Sequence, residues 1–180
     1  PAVEYFGDNA RVPDPLGATS SAGVVAASRS GCLWAAVGRK VIALPNATDC
    51  AAVFDRCAVA TLEDEVVTIR AGRDSASMII LTRSSFLRAR LVDGAVALER
   101  LTDYNLKADR PSDICVGSYG FYWVAVSRGV AVFNRPDSTG LAHLLRVVSL
   151  PQPAIALEAE ARGGVVAATP SEACVFRVFP

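Results

Sequence analysis

The sequence has few of the side chains that enzymes use most often for acid–base and nucleophilic chemistry. Its 180 residues include one histidine, and its 18 basic residues balance 18 acidic ones. With a single histidine, a serine or cysteine nucleophile activated by a histidine base is not expected. The zero net charge removes the whole-molecule attraction that draws proteins to nucleic acid or to anionic membranes.

Long hydrophobic runs and metal-ligand patterns are missing too. No apolar run approaches the roughly 20 residues that cross a bilayer, so we expect no membrane insertion. The five cysteines are scattered without C-x-x-C spacing, and the aspartates form no calcium loop. We therefore expect no metal, no cofactor and reduced, mostly buried cysteines. These cysteines and a start at Pro1 without an apolar leader predict an intracellular protein.

Short apolar runs separated by polar turns are what the chain does contain. Hydrophobic residues make up 52% of the sequence and charged residues 20%. Runs of about four to eight residues rich in Val, Ile, Leu, Phe and Trp predict strands. Equivalent runs start at Leu33, Met78, Phe121 and Val165, so the pattern recurs about every 44 residues.

A repeat of this length with four strands per unit is typical of β-propeller blades. We predict an all-β, β-propeller-like fold of about four blades, each with four antiparallel strands. The predicted blades cover residues 22–60, 64–102, 112–150 and 153–180 of a single domain, 1–180. The last blade is one strand short, and residues 2–6 are a candidate to complete it. The alternative is that the chain is part of a larger propeller.

Arginines recur with the same period as the strands. Lys40 and Lys107 are the only lysines, so 16 of the 18 basic residues are arginine, which is suited to bidentate contacts with carboxylates and phosphates. In a propeller, turns between second and third strands share one face, and loops before the second strands share the other. The residues predicted to bind a partner are Arg39, Arg83 and Arg128 on one face and Arg29, Arg73 and Arg162 on the opposite face. Polar preference in turns explains the same pattern without binding.

No catalytic residue is assigned from the sequence. His143 lies in the apolar run 141–145 and is interpreted as a structural residue. No Gly-x-Ser-x-Gly motif presents a serine. The glycines of 117–120 lack the Lys-Ser or Lys-Thr pair that completes a phosphate-binding loop, so this segment is interpreted as a turn.

Residues 22–45 resemble the opening blade of a known propeller family. An apolar strand ends at Ala26-Ala27-Ser28, and an aromatic strand, a glycine turn and an aliphatic strand closed by Pro45 follow. This order is similar to the N-terminal, irregular WD40-like propeller of the mRNA-export nucleoporins of the cytoplasmic pore face. The resemblance implies an mRNA-transport role at the nuclear pore complex and transfers no partner-binding residue.

The expected function is a non-enzymatic scaffold for protein–protein interaction. In its most specific form it is a nucleoporin-like propeller that docks an mRNA-export factor such as an RNA helicase, without direct nucleic-acid binding. Two alternatives remain open. One is a structural subunit of a large assembly whose propeller is completed by other chains, and the other is a propeller enzyme that uses the central channel.

Overall fold

The computed structural model describes residues 23–45, 57–160 and 163–177, and these contain fifteen strands in four antiparallel sheets. In each sheet the strands are adjacent in chain order. The first blade consists of β1 (Val24–Ala27), β2 (Leu33–Val37), β3 (Lys40–Leu44) and β4 (Ala58–Thr61). The second consists of β5 (Val66–Ala71), β6 (Ser77–Thr82), β7 (Phe86–Val92) and β8 (Ala95–Arg100). The third consists of β9 (Asp113–Val116), β10 (Tyr122–Val126), β11 (Gly129–Phe133) and β12 (Leu144–Ser149). The fourth has β13 (Ala156–Ala159), β14 (Gly164–Ala168) and β15 (Ala173–Arg177).

This arrangement confirms the predicted all-β, propeller-like fold with its repeated four-stranded pattern. The described part of the fourth blade has three strands. Residues 2–6, the candidate for its fourth strand, lie outside the described residues. Whether the propeller is complete therefore stays a prediction.

The blades pack face to face through side chains at equivalent positions of their second strands. Trp34, Ile79 and Trp123 are at most 2% exposed, and each belongs to the apolar cluster shared with the following blade. Burying an isoleucine-sized side chain contributes about 1.5–3 kcal/mol. The period of about 44 residues in the sequence therefore corresponds to buried side chains that recur at each interface between blades.

The first strands of the blades lie side by side along the inner edge of the array. Strand β5 packs beside β1 and β9, and β9 packs beside β13. A buried carboxylate joins three of these strands, because Asp113 on β9 accepts hydrogen bonds from Arg70 on β5 and from the backbone N–H of Leu157 on β13. Polar pairing as well as apolar packing thus fixes the inner edge.

The link between the second and third blades differs from the sequence prediction. The charged residues of 101–111 in the sequence predict a solvated link, but the segment contains a 3₁₀ helix at Leu106–Asp109. Leu101 and Leu106 are fully buried in the cluster between the two blades, because these two apolar residues extend the adjacent core. The link is therefore held firmly against both blades.

Two smaller differences from the sequence prediction concern strand bounds and cysteines, and one finding concerns helices. Strand β4, Ala58–Thr61, ends one residue beyond the predicted end of the first blade at residue 60. Of the four cysteines in the described ranges, none is in a disulfide and only Cys115 is buried. The expectation of mostly buried cysteines is thus wrong for this part of the chain. None of the helices in the described part of the chain is long and apolar enough to span a bilayer.

Candidate functional site

Arg39, Arg83 and Arg128 lie in the turns β2–β3, β6–β7 and β10–β11. Each of these turns is joined by a backbone hydrogen bond to a link between blades: the Arg39 and Arg128 turns to the link that follows their blade, and the Arg83 turn to the link that precedes its blade. The bonds connect Leu62 N–H to the Arg39 carbonyl (2.8 Å), Arg83 N–H to the Glu65 carbonyl (3.1 Å) and Leu150 N–H to the Arg128 carbonyl (3.1 Å). We call the face that carries these turns and links the arginine face.

The side chains of these arginines also contact the links. Arg39 Nε donates to the Leu62 carbonyl at 2.9 Å, and Arg83 Nε lies 2.6 Å from Glu65 Oε2. Arg128 Nη2 lies 2.7 Å from Asp109 Oδ1, although the Arg128 side chain is 67% exposed. The three arginines therefore connect neighbouring blades, and their role in binding a partner stays a prediction.

The opposite face carries the β1–β2 and β5–β6 turns, in which Arg29 and Arg73 are exposed. The two turns are joined by a hydrogen bond from Ser30 N–H to the Ser75 carbonyl at 2.8 Å. Arg162, the third residue predicted for this face, lies outside the described residues. Partner binding by this set is likewise still a prediction.

A cleft of about 550 Å³ opens on the arginine face between the second and third blades. We call it the link cleft. Its walls are Val66, Val67, Arg83, Lys107, Arg110 and Pro111. Lys107 and Arg110 are exposed, and no carboxylate within the described ranges pairs with either side chain. The cleft thus combines an apolar wall with two cations that are free to meet a ligand.

Arg110 has an unusual backbone conformation. Its φ is 49° and its ψ is 70°, in the left-handed region, at the C-terminal end of the 3₁₀ helix. This conformation costs a residue other than glycine roughly 1–2 kcal/mol. The preceding residue, Asp109, anchors it: the Asp109 carboxylate accepts from Tyr104 Oη at 2.9 Å and from Arg128, and its carbonyl accepts from Ser127 N–H.

The Asp109 anchor is itself well buried, with 4% of the residue exposed. Its hydrogen bond to the Tyr104 hydroxyl, together with burial, raises the pKa of Tyr104. The phenol therefore remains a hydrogen-bond donor at neutral pH. This fixed contact sets the direction in which the chain presents Arg110 to the cleft.

A second cleft on the same face has a different electrostatic character. It measures about 320 Å³, lies between the first and second blades, and includes Glu63, Asp64 and Arg100 in its walls. Arg100 is already used, since its Nε donates to the Thr102 carbonyl at 2.7 Å. Two carboxylates face one arginine there, so the link cleft is the better candidate for an anionic ligand.

His143 lies apart from these clefts. Its Nε2 atom is 2.9 Å from Asp137 Oδ2, and its side chain is 47% exposed. Hydrogen bonds from Thr139 and then from His143 hold the pKa of the Asp137 carboxyl well below its usual range. The pair closes the connection between β11 and β12. In the ranges that the structure describes, no group of three or more metal-ligating side chains is close enough to hold an ion.

Lys107 and Arg110 were missed by the sequence prediction, which selected only arginines that follow the 44-residue period. Both residues belong to the link of 101–111, which has no equivalent in the other blades. The one local signal was the Arg110-Pro111 pair, because the residue before a proline rarely continues a helix. That signal indicates a boundary and says nothing about a cleft.

Comparisons with known proteins place the chain among the β-propellers. No family model and no curated protein sequence matches it. A catalytically inactive virginiamycin B lyase from Staphylococcus aureus, solved with quinupristin, matches with a TM-score of 0.59 at 12% identity, over 90% of this chain and 57% of that chain.

Two further solved structures match in the same way. A streptogramin B lyase has a TM-score of 0.61 at 14% identity, over 92% of this chain and 58% of its own. A protein assigned as a gluconolactonase has a TM-score of 0.58 at 14% identity, over 85% of this chain and 57% of its own. At such identities the likeness shows the fold, and the chain spans a little over half the length of these structures.

The comparisons correct the functional expectation. The non-enzymatic, nucleoporin-like docking role is wrong, because the matched propellers include two lyases and a protein assigned as a gluconolactonase. The pattern in residues 22–45 is not specific to nucleoporins, because an apolar strand, a glycine turn and an aliphatic strand occur in propeller blades generally. A protein partner and an intracellular location remain predictions.

Proposed function

We propose that this chain is an enzyme-like propeller that opens a cyclic ester, and that the link cleft receives this ester and the small carboxylate that it yields. The observation that carries the proposal is Arg110, a non-glycine residue held at positive φ in the cleft wall beside Lys107. Strained residues of this kind are concentrated at ligand sites. The matched lyases and the protein assigned as a gluconolactonase support the enzymatic class.

Opening of a lactone by water suits the charges of this cleft. Water adds to the ester carbonyl carbon, negative charge develops on the carbonyl oxygen, and the ring oxygen leaves as an alcohol. Cations beside the carbonyl oxygen stabilise this negative charge as it develops. Lys107 and Arg110 supply the cations, while Val66, Val67 and Pro111 give an apolar wall for the ring carbons.

The test is a search for lactone opening by the purified chain. A panel of plain and sugar-derived lactones is incubated with the protein, and acid release is titrated at constant pH. We expect ring opening above the buffer rate, slowed about tenfold or more by Arg110→Gly, because a lost charge-assisted contact costs about 1.5–3 kcal/mol. Glycine accepts the positive φ, so stability should stay the same or rise by about 1 kcal/mol.

The matched control is Arg146→Ala, because Arg146 is exposed on β12 and lines none of the clefts described above. This variant should open lactones at the rate of the unchanged protein. Absence of acid release above the buffer rate with every lactone would show the proposal to be wrong. An equal loss of rate in Arg146→Ala would show that the effect reflects general charge and not the link cleft.

A further inference from the structure

A smaller cleft lies on the opposite face, also between the second and third blades. Its volume is about 170 Å³, and we call it the turn cleft. Three arginines from different segments line it: Arg73 from the β5–β6 turn, Arg88 from β7 and Arg135 from the segment after β11. Tyr122 closes its inner end, with 5% of the residue exposed.

The absence of a side chain at Gly120 leaves room for two of these arginines. Gly120 has a φ of +83°, and a Cβ atom added there would lie 3.0 Å from Arg73 Nη1 and 3.4 Å from Arg135 Cγ. Arg73 from the second blade and Arg135 from the third therefore lie over the same glycine. The β9–β10 turn, which contains Gly120, therefore forms part of the cleft wall between these two arginines.

The carboxylates around the turn cleft are already engaged with other groups. Asp74 accepts from the Ser77 backbone N–H and lies 3.2 Å from Arg90 Nη2. Arg88 lies 3.1 Å from Glu99 Oε2. Among the described residues, no carboxylate pairs with Arg73 or Arg135. Arg73 and Arg135 thus line one small cleft without an ion-pair partner. Asp74 also lines the cleft, but its carboxylate pairs with Arg90. A bound anion would stabilise the two unpaired arginines.

We propose that the turn cleft is a binding site for a small tetrahedral oxyanion of the phosphate class, free or as the terminal group of a larger ligand. Two guanidinium groups from different blades match the several oxygens of such an anion, since each guanidinium presents a planar fork of donors. The small volume excludes bulky organic ligands from the cleft itself. The site uses other residues on another face than the link cleft and does not rest on the proposed function.

The test is a titration of the full chain with inorganic phosphate by isothermal calorimetry at about 0.1 M ionic strength, where long-range attraction is largely screened. We expect saturable binding that is weakened about tenfold by Arg73→Ala and by Arg135→Ala, as expected for the loss of a charged hydrogen bond. Both side chains are exposed, so the variants should fold, and their thermal unfolding is measured alongside. Arg73→Gln provides a second variant of similar length.

Arg29→Ala is the matched control, because Arg29 occupies the equivalent turn of the first blade and does not line the turn cleft. Its dissociation constant for phosphate should stay within about twofold of that of the unchanged protein. This is much less than the tenfold change, equal to about 1.4 kcal/mol, expected for the two cleft variants. A phosphomonoester such as glycerol 3-phosphate that binds more tightly than phosphate would identify the terminal group of a larger ligand. No saturable binding, or binding that is insensitive to both Arg73→Ala and Arg135→Ala, would overturn the proposal.

Discussion

Burial controls the ionisation and the reactivity of single side chains in this protein, and Cys115 is the clearest example. Burial, followed by the charges of Asp113 and Glu158, raises the pKa of the Cys115 thiol to about 12. The thiolate is the reactive form of cysteine. Cys115 is therefore a packing residue at neutral pH, whereas Cys57 and Cys174 are half-buried and more accessible.

We predict that Cys115 resists alkylation in the folded protein. Timed N-ethylmaleimide labelling at neutral pH, followed by peptide mass spectrometry, should modify Cys57 and Cys174 well before Cys115. The same reaction in denaturant, in which all thiols are exposed, serves as the control and should remove the difference. Equal native rates for Cys115 and Cys174 would contradict the burial argument.

At the scale of strands and turns, glycines in tight hairpins do not all carry the same constraint. Gly129 begins β11 with a φ of +137°, and a Cβ atom there would collide with the Val148 carbonyl oxygen. Gly94, in the β7–β8 turn, has a φ of +79° and nothing within 4 Å of such an atom. One position requires glycine for both space and backbone conformation, and the other for conformation alone.

This contrast predicts two different losses of stability. Gly129→Ala should lower the free energy of unfolding by about 3 kcal/mol or more, because backbone atoms of the β11–β12 pair must move apart. Gly94→Ala should cost about 1 kcal/mol, the strain of a positive φ alone. Urea unfolding monitored by circular dichroism gives both values. Similar losses in the two variants would show that steric contact at Gly129 is relieved without disturbing the strand pair.

At the scale of the whole molecule, the fold could be predicted because every blade repeats one local pattern. The predicted blade bounds 64–102 and 112–150 enclose all the strands of the second and third blades. The link cleft could not be predicted in this way. Arg110 lines this cleft because Leu101 and Leu106 are buried between two blades, which places the 3₁₀ helix and Arg110 at its end beside the second blade. Such placement depends on contacts between blades, which a local sequence pattern does not contain.

The same dependence on contacts between blades makes Asp113 a residue on which the whole array relies. Its carboxylate, 4% exposed, lies 2.6 Å from Arg70 Nη2 of the second blade and accepts from Leu157 N–H of the fourth blade at 2.8 Å. It also accepts from the N–H of Ile114 at 2.8 Å. One side chain thus joins the inner strands of three blades.

We predict that Asp113→Ala destabilises the protein by about 3 kcal/mol. Removing one partner of a buried ion pair costs about 3–5 kcal/mol. The cost here lies at the lower end, because Arg70 is 40% exposed and can be solvated by water once Asp113 is gone. The buried N–H of Leu157 is left without an acceptor, and this keeps the loss large. Glu99→Ala is the matched control, because it removes the exposed pair with Arg88 and should cost less than about 1 kcal/mol. Urea unfolding of both variants makes the comparison. If Asp113→Ala lost no more stability than Glu99→Ala, apolar packing alone would account for the cohesion of the inner strands.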